Sequence, residues 1–201
     1  MKRIFAYIMV AVLLLAMLAG CSPAEKKQLR GSWKGHADLA VAYETMLAGA
    51  DPGMTGHIDI QNFNVELTIT FEEDGTYTWT ANDIQLENGT KNMLKAIADG
   101  MATYLQIQTG LSIEQLLQAS GKTMDELMAE YFDPDMAQVV KKTLCSKGTY
   151  EVADGVLTLT DEDGNEVFKG DIAVSKDTLE LKNGVANELI SRIVPLTLTK
   201  K

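Results

Sequence analysis

The feature that most restricts the fold is a two-residue period. In "FNVELTITFEEDGTYTW", Phe63, Val65, Leu67, Ile69 and Phe71 alternate with Asn64, Glu66, Thr68 and Thr70. Successive side chains of a strand point to opposite faces, so this spacing gathers the apolar groups on one side. Glu73-Asp74-Gly75 interrupts the pattern with turn residues, and Tyr77, Trp79 and Ala81 then resume it. The segment is predicted to be a β-hairpin. The same period returns in "GTYEVADGVLTLTDEDGNEVFKGDIAVSKDTLELKNG". There Tyr150 and Val152, then Leu157 and Leu159, then Phe168, Ile172 and Val174, then Leu179 and Leu181 form the inward sets. Asp154-Gly155, Asp163-Gly164 and Lys176-Asp177 supply the turns. Val194 to Lys200, with Leu196 and Leu198 inward, reads as the last strand and Gly31 to Leu39 as the first, eight in all. Antiparallel strands joined by short turns leave unpaired edges unless the sheet closes, and about eight strands close a small barrel.

Between the third and fourth of these strands the period changes. From Thr90 to Thr143, Leu94, Ile97, Met101, Tyr104 and Leu105 follow helical spacing. Ser112 with Gln115 and Thr123 with Glu126 have the form of capping boxes, in which the side chains satisfy free backbone N–H groups at a helix start. Asp133-Pro134 reads as an N-cap followed by proline at the first helical position, opening a helix that carries Met136, Val139 and Val140. Gly110 and Gly121 read as helix stops. Short helices are also expected at Val185 to Arg192 and at Ala40 to Ala48. The fold class expected is mainly β with a helical insertion (α+β). It is an eight-stranded antiparallel up-and-down barrel with a set of short helices between strands 3 and 4.

The chain opens with Lys2 and Arg3, an apolar run from Ile4 to Leu18, and the small residues Ala19 and Gly20 before Cys21. That is the layout of a secretory signal peptide over residues 1–20. A helix spanning the hydrocarbon layer needs about 20 apolar residues, more than this run offers. Leu18-Ala19-Gly20-Cys21 resembles the lipobox of bacterial lipoproteins. The resemblance implies that the Cys21 thiol is joined to a diacylglycerol and that cleavage leaves Cys21 as the new N-terminus. Each buried methylene contributes about 0.8 kcal/mol, and two or more acyl chains hold a protein where one would let it leave. On this reading residues 21–29 are a lipidated N-terminus and polar tether, and residues 30–201 are the barrel domain, with the helical insertion at 90–143. The protein is then held outside the cytoplasm on a bacterial membrane, either the cell membrane or an outer membrane.

Removing residues 1–20 takes away Lys2 and Arg3 and leaves 16 basic against 28 acidic side chains. So acidic a surface repels phosphate backbones, which argues against nucleic acid as a partner. With Cys21 joined to lipid, Cys145 has no partner thiol, and it is expected to be a buried, inert one, with no histidine near it in sequence to lower its pKa.

"LRGSWKG" carries a second resemblance. Gly31-Ser32-Trp33 resembles the Gly-X-Trp of the first strand in lipocalins and related calycins, and "TFEEDGTYTW" and "GTYEVADGVLTLT" look like bacterial lipocalin-like domains found on lipoproteins. In that superfamily the tryptophan closes one end of the barrel and a basic residue near the last strand packs over it; Arg192 or Lys200 could take that role. The resemblance covers both β blocks. A typical lipocalin has no helical insertion of this length after the third strand.

Catalytic and metal motifs do not emerge. Asp161-Glu162-Asp163-Gly164-Asn165-Glu166 places oxygen ligands at alternate positions, but an EF-hand needs glycine sixth and glutamate twelfth, where this chain has Glu166 and Ile172. "GKT" at Gly121 to Thr123 lacks the earlier glycine of a phosphate loop, since position 116 is Leu116. "IEQLLQASGKTMDEL" has the cadence of a DNA-reading helix-turn-helix, against which the secreted location and the negative charge both weigh. His36 and His57 show no metal-ligand spacing. A catalytic thiol would require His36 or His57 to meet Cys145 in space. No catalytic residue, metal or cofactor is therefore assigned.

The aromatic residues at inward strand positions either fill a solid core or line a pocket. Trp33, Phe71, Tyr77, Trp79, Tyr150, Leu157 and Phe168 are the candidate barrel lining. Met93, Met101 and Met128, with Met124 and Met136, are the candidate helical lid, since methionine adapts its shape to a ligand. The expected function is non-enzymatic binding of a small apolar or amphipathic ligand at the barrel mouth, by a protein joined to the membrane through Cys21. The alternative is a protein–protein interaction module of the cell envelope with a solid barrel core.

Overall fold

The alternating segments become nine strands: β1 Gly31–Asp38, β2 Asn64–Phe71, β3 Thr76–Ala81, β4 Ser146–Ala153, β5 Val156–Asp161, β6 Glu166–Val174, β7 Thr178–Leu181, β8 Val185–Ala186 and β9 Leu196–Lys200. They belong to a computed structural model that describes residues 23–50, 53, 56–133 and 135–201; the leader and Cys21 lie outside the described residues. All pairings are antiparallel, and they run in a ring from β1 through β2, β3, β4, β5, β6, β7 and β9 back to β1. The eight-stranded barrel is therefore closed. The two-residue β8 pairs with β6 beside this ring, at a place where the sequence predicted helix. The expected helix starts later, as Glu188–Ile193.

The turns follow local chemistry. Asp154 and Gly155 both take positive φ (53° and 77°), the requirement of the two-residue hairpin that twists with its strands. Asp161, the first residue of the supposed calcium loop, accepts the backbone N–H groups of Asp163 and Asn165 and the Asn165 amide. Its oxygens hold a hairpin turn, and those bonds keep its carboxyl below the usual carboxylate range.

Seven helices lie among the described residues: α1 Pro23–Leu29, α2 Leu39–Ala50, α3 Asp83–Thr109, α4 Ile113–Ser120, α5 Met124–Tyr131, α6 Met136–Leu144 and α7 Glu188–Ile193. Both capping boxes form, and Gly110 and Gly121 end their helices in the left-handed conformation. Three boundaries differ from expectation. The insertion begins at Asp83 rather than Thr90, because the Asn82 side chain accepts the Gln85 N–H and starts α3 there. The N-cap of α6 is Asp135, while the Asp133 carboxylate accepts the Asp135 N–H instead of opening the helix itself; Pro134 lies outside the described residues. Pro23–Leu29, expected to belong to a polar tether, is helical.

The register defines two barrel ends. Gly31 opposite Phe71 and Ala153 opposite Val156 mark one; Asp38 opposite Asn64 and Leu181 opposite Leu196 mark the other. Helix α1 covers the first end. Leu29 is fully buried there, its carbonyl accepts the Trp33 Nε1–H at 2.5 Å, and Lys26 Nζ sits 5.1 Å from the Tyr150 ring centroid. Of the two basic candidates for packing over Trp33, Lys200 takes the place, 4.9 Å from the ring centroid, and Arg192 pairs with Glu188. Helices α2, α3, α6 and α7 all attach at the second end and cover it with Leu39, Leu86, Val140, Leu144 and Ile190.

Helix α3 contains two interior glycines, which normally weaken a helix. Both are required by contact: a Cβ on Gly89 would lie 2.0 Å from the Phe63 ring, and one on Gly100 2.5 Å from Ile58. Eleven residues apart, they fall on one face of α3 and let it lie against the segment that precedes β2.

Trp33→Ala removes the largest group of the α1-covered end and is expected to destabilise the fold by about 3–5 kcal/mol. Lys200→Met, which deletes an exposed cation–π contact and a long hydrogen bond to the Gln28 carbonyl at 3.4 Å, should still cost under about 1 kcal/mol. Urea unfolding followed by tryptophan fluorescence and circular dichroism checks both, and equal costs would contradict this view of Trp33.

Candidate functional site

The seven candidate barrel-lining residues, read as filling a core or lining a pocket, are buried in the core. Trp33, Phe71, Tyr77, Trp79, Tyr150, Leu157 and Phe168 are each 2% exposed or less. A void wide enough for one water would leave accessible area on its walls, so the interior around these side chains is filled as densely as an ordinary protein core. The polar ends of the tyrosines are absorbed locally: Tyr77 Oη meets Ser146 Oγ at 3.0 Å and Tyr150 Oη donates to the Glu72 carbonyl at 3.0 Å. Burial raises the pKa of both phenols.

The methionines expected to form a lid divide into two groups. Met93 is 1% exposed and belongs to the core under α3, with Met101 half-buried nearby on the same helix. Met124 and Met128 lie on α5, a helix that packs on α3 rather than on the barrel, and they line an open groove of about 480 Å³. Leu94, Lys95, Ala98 and Asp99 of α3 form one wall; Met124, Asp125, Met128 and Ala129 of α5, continued by Phe132 and Asp133, form the other. Leu94 also belongs to an adjoining cavity of about 270 Å³, bounded by Glu87, Thr90 and Lys91 of α3 and by Asp135, Met136, Ala137 and Gln138 at the start of α6. Together they make a trough beside α3 from Glu87 to Asp99, about 18 Å at the helical rise per residue.

The trough follows from the amphipathic pattern. α5 spends its first turn on the Thr123–Glu126 box and carries Met124 and Met128 four residues apart on one face, with Phe132 following at the same interval as its C-cap. Helix α4 has no buried residue. In α3 the buried face ends at Gly100, so its last nine residues, Met101 to Thr109, extend past the barrel contact. Within the trough Lys95 Nζ pairs with Asp99 Oδ2 at 2.5 Å. Asp125 and Asp133 have no ion pair among the described residues. The Thr90 hydroxyl, on a residue 3% exposed, has no hydrogen-bond partner.

Other concavities are lined mostly by polar residues. One of about 590 Å³ on the barrel wall contains Thr76, Thr78, Thr149 and Asp161, with Lys147 and Glu162, which pair at 2.9 Å. Another, of about 400 Å³, contains Cys145. Burial raises the Cys145 pKa, outweighing the lowering by a backbone hydrogen bond at Ala81 and by the Lys141 charge, while Asp83 adds to the rise. No histidine is among these influences. His57 stands 6.4 Å, centroid to centroid, from Tyr104, and His36 lies on β1 opposite Glu66. No cluster of three or more His, Cys, Asp or Glu side chains that could hold a metal occurs among the described residues.

The sequence named Met124 and Met128 as lid residues; Leu94 entered only as part of a helical face and Asp133 only as an N-cap, while Ala98, Phe132, Asp99 and Asp125 were not singled out. The available signal was the Met124-Met128-Phe132 spacing. Compared with family models, with curated proteins and with solved structures, the chain matches none. The closed antiparallel barrel with a helical insertion after its third strand is compatible with a lipocalin-like fold.

A raised thiol pKa means less thiolate at neutral pH. Alkylation of Cys145 by iodoacetamide at pH 7.5 should be slower than that of a free peptide thiol, and should accelerate as pH rises past 9. Mass spectrometry of quenched time points gives the rate, and a rate at or above the peptide's would overturn the assignment of Cys145 as an inert thiol.

Proposed function

We propose that the protein is a membrane-anchored, extracytoplasmic, lipocalin-like lipoprotein that binds a small apolar or amphipathic ligand without catalysing a reaction. Its binding element is the trough between α3 and α5, not the barrel interior. One contrast carries this reading: the barrel is packed solid, whereas the helical insertion holds an open, methionine-lined groove of about 480 Å³, within the range of small-molecule sites. Methionine's flexible thioether suits a site that must adapt to its occupant.

Anchoring rests on Cys21 and its signal-peptide context. Cys21 precedes Pro23 by two residues, so its Cα lies within about 7.6 Å of the start of α1. Helix α1 is seated on one barrel end, with Lys26 beside Tyr150 and Leu29 buried. A lipid on Cys21 would hold that end at the membrane and direct the helical end outward.

The alternative, an envelope interaction module with a solid barrel, is favoured by one observation: Ile107 and Leu111, where α3 meets α4, are 61% and 42% exposed. Two measurements test the proposal and separate the readings. Cys21→Ala should release the protein from membranes, and mass spectrometry of wild type should find a diacylglycerol-modified Cys21. Native mass spectrometry of protein isolated from its host should detect a bound small molecule that is lost in Met128→Lys. An unmodified Cys21 refutes the anchor; repeated absence of a small molecule, with a protein crosslinked through residues 107–117, selects the interaction module.

A further inference from the structure

Resting on the trough as the ligand site, we infer that its occupant is an elongated amphipathic cation, an alkylammonium-type molecule. The tail would lie along Leu94, Ala98, Met124, Met128 and Phe132, and the ammonium group would be held by Asp125 and Asp133, the lining carboxylates of the groove without an ion pair among the described residues. Two observations support this.

The first is charge. Across the groove and its adjoining cavity the charged lining is Glu87, Asp99, Asp125, Asp133 and Asp135 against Lys91 and Lys95, with Lys141 outside the trough acting on Glu87. Lys95 is neutralised by Asp99, and Asp125 and Asp133 are without an ion pair among the described residues. An anionic headgroup entering here would be repelled, whereas a cation gains from each carboxylate it approaches. The chain's excess of 28 acidic over 18 basic side chains adds a field of the same sign.

The second is shape. The groove and the adjoining cavity share Leu94 and together follow about 18 Å of α3, an elongated outline that accommodates a chain better than a compact ring system.

The test uses the lipidated full chain in phosphatidylcholine nanodiscs with ¹³C-methyl methionine, titrated below micellar concentrations with octylammonium, octyl glucoside and octyl sulfate. Octylammonium should shift the Met124 and Met128 methyl signals and leave Met93, in the core, unmoved. It should bind about tenfold more tightly than octyl glucoside, and octyl sulfate more weakly than both. The pair Asp125→Asn and Asp133→Asn lies on the exposed rim and should fold normally; it should remove most of the octylammonium advantage and leave octyl glucoside unchanged. Equal affinity of the three probes, or an octylammonium affinity indifferent to the two substitutions, overturns the cationic occupant while the trough stands as a site. If no probe moves Met124 or Met128, or if only Met93 moves, both this inference and the trough as ligand site are overturned.

Discussion

The structure depends on closure between β1 and β9. Every other strand pair joins near neighbours in sequence or spans the helical insertion within one meander. This one joins the first strand to the last, and its ladder is short, with Trp33 opposite Lys200 and Lys34 opposite Thr199. What makes so short a seam possible is Gly35, where a Cβ would lie 2.5 Å from the Thr197 carbonyl and 2.6 Å from Leu198. The missing side chain lets β9 approach and brings Lys200 over the Trp33 ring. Without that approach β1 and β9 would be free edges, and an edge strand exposes a row of unpaired backbone groups.

Closure has a consequence for function. An eight-stranded barrel can hold one small ligand or be filled by its own side chains, and volume decides between the two. Here two tryptophans, two tyrosines and two phenylalanines point inward together with leucines, and α1 and α2 seal opposite ends through Leu29 and Leu39. The barrel becomes a rigid scaffold. Adaptability is displaced to the insertion, where α4 and α5 have little buried surface and pack chiefly on α3. Binding loops and helices of low local stability on a stable frame are a common division of labour, because a site that must reshape itself cannot also be the core.

How much of this was legible follows from the range of the interactions concerned. Strand parity, the turns at Asp154-Gly155 and Asp163-Gly164, and the two capping boxes are set by residues within a few positions of one another, and all were readable. The start of α3 was not, because Asn88-Gly89 looks like a stop in sequence and becomes helix interior only when Phe63 fills the space a Cβ would need. The choice of Lys200 over Arg192 likewise depends on β9 pairing with β1, a contact across the whole chain. The inward positions of Trp33 and Trp79 could be predicted; whether they lined a hollow could not, since that depends on the sum of volumes from eight strands. In the trough, the methionine stripe was visible. Its opposite wall was hidden, because nothing local says which face of α3 α5 will meet.

The placement of α1 ties these levels together. A polar tether would leave an anchored domain free to tumble at the membrane surface. A helix whose Leu29 carbonyl receives the Trp33 indole N–H is part of the barrel's end, so only Ser22 separates it from Cys21. If Cys21 carries lipid, the same tryptophan that packs the closed end fixes which end meets the bilayer. The strand order then determines the rest: α2, α3, α6 and α7 attach at the other end, and α3 carries the trough beyond it. On that orientation Asp125 and Asp133 would face away from the headgroups, and their charge would act on solutes arriving from the aqueous side. The seam at Gly35, the plug at Trp33 and the exposure of the acidic trough are in this way successive results of one topology.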